Sequence, residues 1–216
     1  QYGPKAREAH AALLGMWDDD QSEALLNAIV ATGPAESMID WLLGRVERGE
    51  PFRAEAARLL AMRDLADERV AEAVTVLLSD EERSVRRSAA RGLASRIPTD
   101  EAARAIVVRF AADEGYRHGL ALGIMVEALA ESPEAARLEA MPTMIDLRVR
   151  CTPDAPVAAA RDEIARVLHA IGMPAARRLF DRYAALPEGE DPGDLHQVLR
   201  GIPVDDAFFV EQLQSE

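Results

Sequence analysis

The sequence has a single cysteine, Cys151, so no disulfide framework can stabilise the chain. A reducing compartment is then the default, and we predict a cytoplasmic protein, although a cysteine-poor exported protein would have the same composition. No run of apolar residues reaches the length that a bilayer-spanning helix needs. We therefore expect no membrane insertion.

Aromatic residues are also scarce, at 5% of the 216 residues, whereas 49% of the residues are hydrophobic. The core must therefore be built from Ala, Leu, Val, Ile and Met. Ala and Leu are strong helix formers, and Ala lets neighbouring helices approach closely. Few segments alternate β-branched or aromatic residues with polar ones, as strands would. The composition predicts an all-α fold.

Lysine is nearly absent, because all but one of the 25 basic residues, Lys5, are arginines. Coding bias is the simpler explanation, and a need for bidentate ion pairs is the other. The 38 acidic residues give a formal net charge of −13. This average charge disfavours nucleic acid, whose binding depends on neutralising phosphates, but it does not exclude a local basic stripe.

Internal repeats occur along the middle of the chain. Three segments, 51–62, 84–95 and 115–126, each contain a bulky apolar residue followed by arginine, and they start 33 and 31 residues apart. The three pairs are Phe52-Arg53, Val85-Arg86 and Tyr116-Arg117. Small or apolar residues then recur at helical spacing. A fourth copy, 156–167, has Ala158 in place of the arginine.

A second set of helices is predicted between these copies. Each of the segments 100–110, 133–143 and 173–183 carries Ala-Ala-Arg near its start. Asp100 is a plausible N-cap, and prolines mark the starts of the other two segments. Gly- and Pro-containing breakers separate the helices. The pattern predicts a unit of helix, turn, helix, turn over roughly 30–45 residues.

The segment 77–98 resembles the HEAT-repeat pattern, in particular its bacterial HEAT-like variety. An acidic residue ends one helix, Val-Arg opens the next, and an Ala-Ala-x-x-Leu stripe follows. The matching residues are Asp80, Val85, Arg86, Ala89, Ala90 and Leu93. The resemblance implies an all-α, right-handed α-solenoid of about five or six antiparallel helical hairpins. We expect one domain, 1–216, with degenerate N-terminal units at 1–49, core repeats at 50–149 and C-terminal units at 150–216.

The resemblance also implies a structural ladder of charged residues along the stacked turns. In such a ladder, aspartates and the carbonyls at helix C-termini would accept hydrogen bonds from the arginines of the first helices. The ladder would consist of Arg53, Asp80, Arg86, Asp113 and Arg117. Loss of the arginine in the fourth copy favours a hinge or irregular turn near Cys151–Pro156, and Pro142 predicts a kink or helix break just upstream.

The arginines of the second helices are the predicted partner-binding residues. Second helices line the concave face of such solenoids, which is the usual binding surface. A positive stripe there would consist of Arg104, Arg109, Arg137, Arg177, Arg178 and Arg182. It would suit an acidic peptide or an acidic helix of a partner protein. The competing interpretation is that acids such as Glu101 and Glu134 neutralise these arginines within their own helices.

Motifs for catalysis or metal binding do not stand out. The four histidines fall in different predicted units, no phosphate-binding glycine loop occurs, and Cys151 has no histidine nearby in sequence. We therefore predict a non-catalytic scaffold or adaptor without cofactor or metal, which binds another protein. The alternative is a nucleic-acid-binding protein or a HEAT-like DNA-repair glycosylase. The sequence has only two Trp and three Tyr, so few aromatic side chains could stack on bases.

Overall fold

The computed structural model describes residues 4–17, 21–48, 50–115, 117–149, 154–185, 198 and 202. Over these residues the regular structure is helical throughout, with eleven α-helices and one short 3₁₀ helix and without any strand. The prediction of an all-α fold is therefore confirmed. None of the helices in the described ranges is long and apolar enough to cross a membrane.

The chain falls into two compact units, Gln1–Arg96 and Ile97–Glu216. The division lies within the segment 50–149 that the sequence assigned to the core repeats. The first unit contains six helices, named in chain order α1 (Pro4–Trp17), α2 (Glu23–Thr32), α3 (Ala35–Arg45), α4 (Arg53–Ala61), α5 (Glu68–Leu78) and α6 (Arg83–Ala94).

The second unit begins with α7 (Glu101–Asp113), α8 (Gly119–Ala130) and α9 (Glu134–Val149). A 3₁₀ helix (Pro156–Ala160) then leads into α10 (Arg161–Ile171), which is followed by α11 (Met173–Ala184). The described part of α9 passes through Pro142 without a break. Cys151, Thr152 and Pro153, the first half of the hinge predicted at Cys151–Pro156, lie outside the described residues.

Side-chain caps explain where several helices start. The Ser22 hydroxyl accepts a hydrogen bond from the Leu25 backbone N–H at the start of α2. The Asp100 carboxylate accepts bonds from two N–H groups of α7, at 2.9 and 3.3 Å. Such oxygens satisfy donors that have no partner inside the helix. The predicted N-cap role of Asp100 is therefore confirmed.

The core of the first unit is built on close contact between α4 and α6, the first helices of two predicted repeats. The small and apolar residues of the repeated stripe are fully buried, namely Ala56, Ala57, Leu60, Ala89, Ala90 and Leu93. A Cβ atom added at Gly92 would lie 2.9 Å from the Ala61 Cβ, and closer still to the carbonyl oxygen of Arg58. Only a residue without a side chain permits this helix separation.

In the second unit α8 packs against α10 and the 3₁₀ helix, and α9 packs against α7, α10 and α11. A Cβ atom at Gly119 would lie 2.9 Å from the Cα atom of Val157. Val157, Ile164 and Leu168 are fully buried and complete this side of the core. The fourth predicted copy, 156–167, therefore begins as a 3₁₀ turn and becomes α-helical at Arg161.

Candidate functional site

Arg53 is a buried arginine at the start of α4. Its guanidinium donates hydrogen bonds to both carboxylate oxygens of Asp80 and, at 3.1 Å, to the carboxylate of Glu82. Its Nε also donates to the carbonyl of Val46 at 2.7 Å. The side chains of Arg53 and Asp80 are only 10% and 8% exposed. The structure thus brings together two of the residues that the sequence placed in the structural ladder.

Asp80 also organises the turn between α5 and α6. Its carboxylate accepts a hydrogen bond from the Glu82 backbone N–H at 2.9 Å. Burial alone would raise the pKa of Asp80, but the hydrogen bonds from Arg53 and Glu82 and the positive charge of Arg53 outweigh it and lower that pKa. Arg86 turns back to the backbone carbonyls of Asp80 and Glu81. Both arginines therefore hold the turns of the first unit.

Asp113 and Arg117 depart from the ladder that the sequence predicted. Arg117 is 75% exposed in its side chain and pairs with Glu114 at 3.6 Å, and Asp113 is 66% exposed. The reason is that α8 begins only at Gly119, so Arg117 precedes the helix and is not in its first turn. Tyr116 lies outside the described residues. This correction limits the buried ladder to the first unit.

Arg104 and Arg137 do not form the exposed row that the sequence predicted for the second helices. Both are half-buried, and each reaches back to a carbonyl seven residues earlier, Arg104 to Ile97 at 3.1 Å and Arg137 to Ala130 at 3.4 Å. Arg53 makes the same contact with Val46. Val46 and Ala130 lie at the ends of α3 and α8, where helix carbonyls carry partial negative charge, so Arg53 and Arg137 stabilise those ends. Ile97 lies in the turn before α7, and Arg104 stabilises that turn.

Two further structural arginines were missed by the sequence reasoning. The Arg63 guanidinium donates to the carbonyl of Val30 at 3.1 Å, and Arg96 donates to the carbonyls of Met62 and Arg63. Val30, Arg63 and Arg96 are each 33 residues apart, which equals the repeat offset. The 33-residue spacing is the sequence feature from which these contacts could have been predicted. The contacts join equivalent positions of successive repeats.

The C-terminal members of the predicted stripe, in contrast, are exposed. Arg177, Arg178 and Arg182 lie on the outer side of α11. Arg178 and Arg182 border a groove of about 280 Å³ between α9 and α11. The other residues that line it are Pro142, Ile145, Asp146, Asp181 and Ala185. Arg109, on α7, is exposed but is held near Asp113 by a 3.9 Å ion pair.

The groove between α9 and α11 combines an apolar wall with charges of both signs. Ile145 is buried, whereas Arg178, Asp181 and Arg182 are exposed. Guanidinium groups bind carboxylates through two parallel hydrogen bonds, so Arg178 and Arg182 can hold acidic side chains at the rim. Asp146 and Asp181 line the same groove and would repel a ligand with a continuous row of negative charges, such as a nucleic acid. The arrangement suits a short peptide with separated acids.

Neither the aromatic residues nor the histidines assemble a reaction centre in the described ranges. Trp17 packs edge-on against Trp41 with 5.3 Å between ring centroids, and Arg45 lies over both rings. Trp17 is 2% exposed, so it belongs to the core and offers no stacking surface to a base. Within the described part of the chain, no group of three or more potential metal ligands occurs.

Comparisons with known proteins add little to this geometry. No protein-family model and no curated protein matches the sequence. The fold is similar to the crystal structure of an engineered protein from the Northeast Structural Genomics Consortium, with a TM-score of 0.47 and 17% sequence identity. The alignment covers 89% of this chain and 95% of that chain. A likeness at this level assigns neither a family nor a function.

Proposed function

We propose that the protein is a HEAT-like helical-repeat scaffold that binds an acidic peptide or helix of a partner protein without catalysing a reaction. The groove between α9 and α11 carries this proposal, because Arg178 and Arg182 are exposed at its rim. In the described part of the chain no backbone carbonyl holds either of them, whereas carbonyls hold Arg104 and Arg137.

The spacing of the two groove arginines supports recognition of a helix or of an extended acidic segment. Residues four apart on an α-helix lie one above the other and are separated by about 6 Å along its axis. Arg178 and Arg182 therefore face a ligand together. Ile145 and Pro142 supply apolar surface beside them. A partner with two carboxylates and an apolar side chain between them would match these three features.

The repeat relation within the first unit supports the HEAT-like part of the proposal. The buried stripes of α4 and α6 correspond at an offset of 33 residues, and the contacts Arg63 to Val30 and Arg96 to Arg63 follow the same offset. Repeats that each contact the next are the basis of solenoid stability. We propose a solenoid on this ground, and its right-handedness follows from the sequence resemblance alone.

A peptide-display selection against the whole chain tests the function. We expect the selected peptides to be enriched in Asp and Glu. Their affinity for the Arg178→Glu/Arg182→Glu variant should be at least tenfold lower, because reversing two charged contacts weakens the binding free energy by on the order of 1.4 kcal/mol or more. Arg117→Glu/Arg166→Glu is the matched control. It makes the same charge change in the same unit, at side chains that are 75% and 54% exposed.

Two outcomes would contradict the proposed site. One is a selection that yields no acidic peptides. The other is that the selected peptides bind the Arg178→Glu/Arg182→Glu variant as well as they bind the natural chain. The competing function is tested with duplex DNA at low and moderate salt. Salt-sensitive DNA binding that disappears in the same variant would replace the peptide-binding scaffold by the nucleic-acid-binding alternative.

A further inference from the structure

One side of α6 carries a row of arginines that the functions above do not use. Its inner side is fully buried through Val85, Ala89 and Leu93. The outer side presents Arg83, Arg87 and Arg91, all exposed and spaced four residues apart. This spacing places the three side chains along one side of the helix, about 6 Å apart in axial rise.

The three arginines have no acidic partner in the described ranges, and the nearest acids along the chain and on α4 are engaged elsewhere. Glu55, Glu81 and Glu82 pair with arginines outside the row, which are Arg58, Arg48 and Arg53 respectively. Arg86 also lies outside the row, because it turns to backbone carbonyls. The α6 row, defined as Arg83, Arg87 and Arg91, therefore keeps its positive charge available.

The α6 row is unfavourable for the chain on its own. Like charges four residues apart on a helix repel each other. Arg83 is the first residue of α6, where the helix dipole is positive and an acidic residue would be favoured. The chain has 38 acidic residues but places none in the first turn of α6. A local rule broken without a compensating contact is characteristic of functional surfaces.

We propose that the α6 row is a second docking surface, which binds an acidic α-helix carrying carboxylates at positions i, i+4 and i+8. The ligand helix would match the row because both helices repeat their side chains at the same axial rise. Each guanidinium fork then meets one carboxylate. Nucleic acid is the less suitable occupant, because a chain of net charge −13 repels a continuous line of phosphates beyond the row.

This surface is independent of the groove between α9 and α11, since α6 belongs to the first unit and that groove to the second. The two proposals can therefore fail separately.

The probe for the α6 row is a synthetic Ala-rich helical peptide with three Glu at four-residue intervals. A peptide of identical composition with the three Glu placed around the helix serves as its control. We expect the first peptide to bind the whole chain more tightly than the second, and binding to weaken with salt. The variant Arg83→Gln/Arg87→Gln/Arg91→Gln should lose about tenfold or more in affinity for the first peptide, as three exposed ion pairs together imply.

The matched control variant is Arg69→Gln/Arg117→Gln/Arg166→Gln. It removes the same net charge at exposed arginines that each have an acidic neighbour. We expect peptide affinity to change less than about twofold in this control. The two variants should also differ in thermal stability. Removing the α6 row relieves repulsion and should leave the unfolding temperature unchanged or raised. The control loses four ion pairs, two of them at Arg69, and should unfold at a lower temperature.

Four results would overturn the proposal. The natural chain could fail to bind the peptide with spaced Glu, or bind both peptides equally. The α6-row variant could keep affinity within about twofold of the natural chain. Duplex DNA could bind the row more tightly than the peptide does, which would assign the row to nucleic acid. The variant Arg83→Lys/Arg87→Lys/Arg91→Lys retains the charge and should recover part of the binding, because lysine lacks the bidentate fork.

Discussion

Replacing Asp80 with alanine removes the carboxylate that faces the buried guanidinium of Arg53. The side chains of this pair are 8% and 10% exposed, so water cannot readily take the place of the lost partner. Breaking a buried ion pair by removing one member costs about 3–5 kcal/mol. Glu82 and the Val46 carbonyl still contact the guanidinium in the variant. We therefore expect the free energy of unfolding to fall by about 3 kcal/mol, the lower end of that range.

Thermal and urea denaturation followed by circular dichroism measure this loss. For a chain of about this size, each kcal/mol lowers Tm by about 2–4 °C, so the Asp80→Ala variant should unfold about 6–12 °C earlier. Glu82→Ala is the matched control, because Glu82 contacts the same guanidinium from a side chain that is 59% exposed. Exposed pairs contribute about 1 kcal/mol at most. A loss in Asp80→Ala no larger than in Glu82→Ala would refute the reasoning.

The same carboxylate predicts how stability depends on pH. The pKa of Asp80 is lower in the folded protein than its ordinary value, despite the opposing effect of burial. Its stabilisation is therefore complete above the unfolded-state pKa of about 3.9 and is lost as pH falls through the lower folded-state pKa. In acid titrations of stability the natural chain should lose more free energy below about pH 4 than Asp80→Asn does. Parallel profiles would contradict this assignment.

Three further variants test the packing and the arginine contacts by chemical denaturation. Gly92→Ala should destabilise the protein by about 1–3 kcal/mol, because the added Cβ would overlap α4. Gly44→Ala is its control and should be neutral or stabilising, because no atom lies within 4 Å of the added Cβ. Equal effects of the two variants would refute the close approach of α6 to α4. Gly119→Ala should cost a similar amount, since its Cβ would overlap the 3₁₀ helix, and an unchanged midpoint would argue against that contact. Arg96→Ala should lower the free energy of unfolding by about 1.5 kcal/mol, because two carbonyl contacts are lost, and by more than Arg91→Ala does. The reverse order would count against a structural role for the Arg96 contacts with Met62 and Arg63.

Much of the first unit was predictable because its interactions repeat with the sequence. The Ala-Ala-x-x-Leu stripe recurs at one offset, and the same residues of α4 and α6 become buried. Asp80 and Arg53 were predicted to serve the same ladder, and the structure places them in contact. Periodicity and composition report local helix formation and burial, so these features follow from the sequence alone.

The site was less predictable, because one motif has different surroundings in different places. Ala-Ala-Arg in the first turn looked like one binding position in three helices. Arg104 and Arg137 instead each contact a backbone carbonyl seven residues earlier, whereas Arg177 is exposed on α11. Arg117 fails to repeat the role of Arg53 because the helix after it starts two residues later. Which neighbours surround a guanidinium depends on where helices end and how they pack.

The sequence by itself determined that this chain is helical, that its core is made of small and aliphatic residues, and that equivalent positions recur every 31–33 residues in its middle. These properties follow from local propensity and from which residues avoid water. Only the tertiary structure decided which arginines are available to a partner. A guanidinium is bound or free according to the carbonyls and carboxylates within about 3 Å of it, and atoms distant in the chain supply many of those groups.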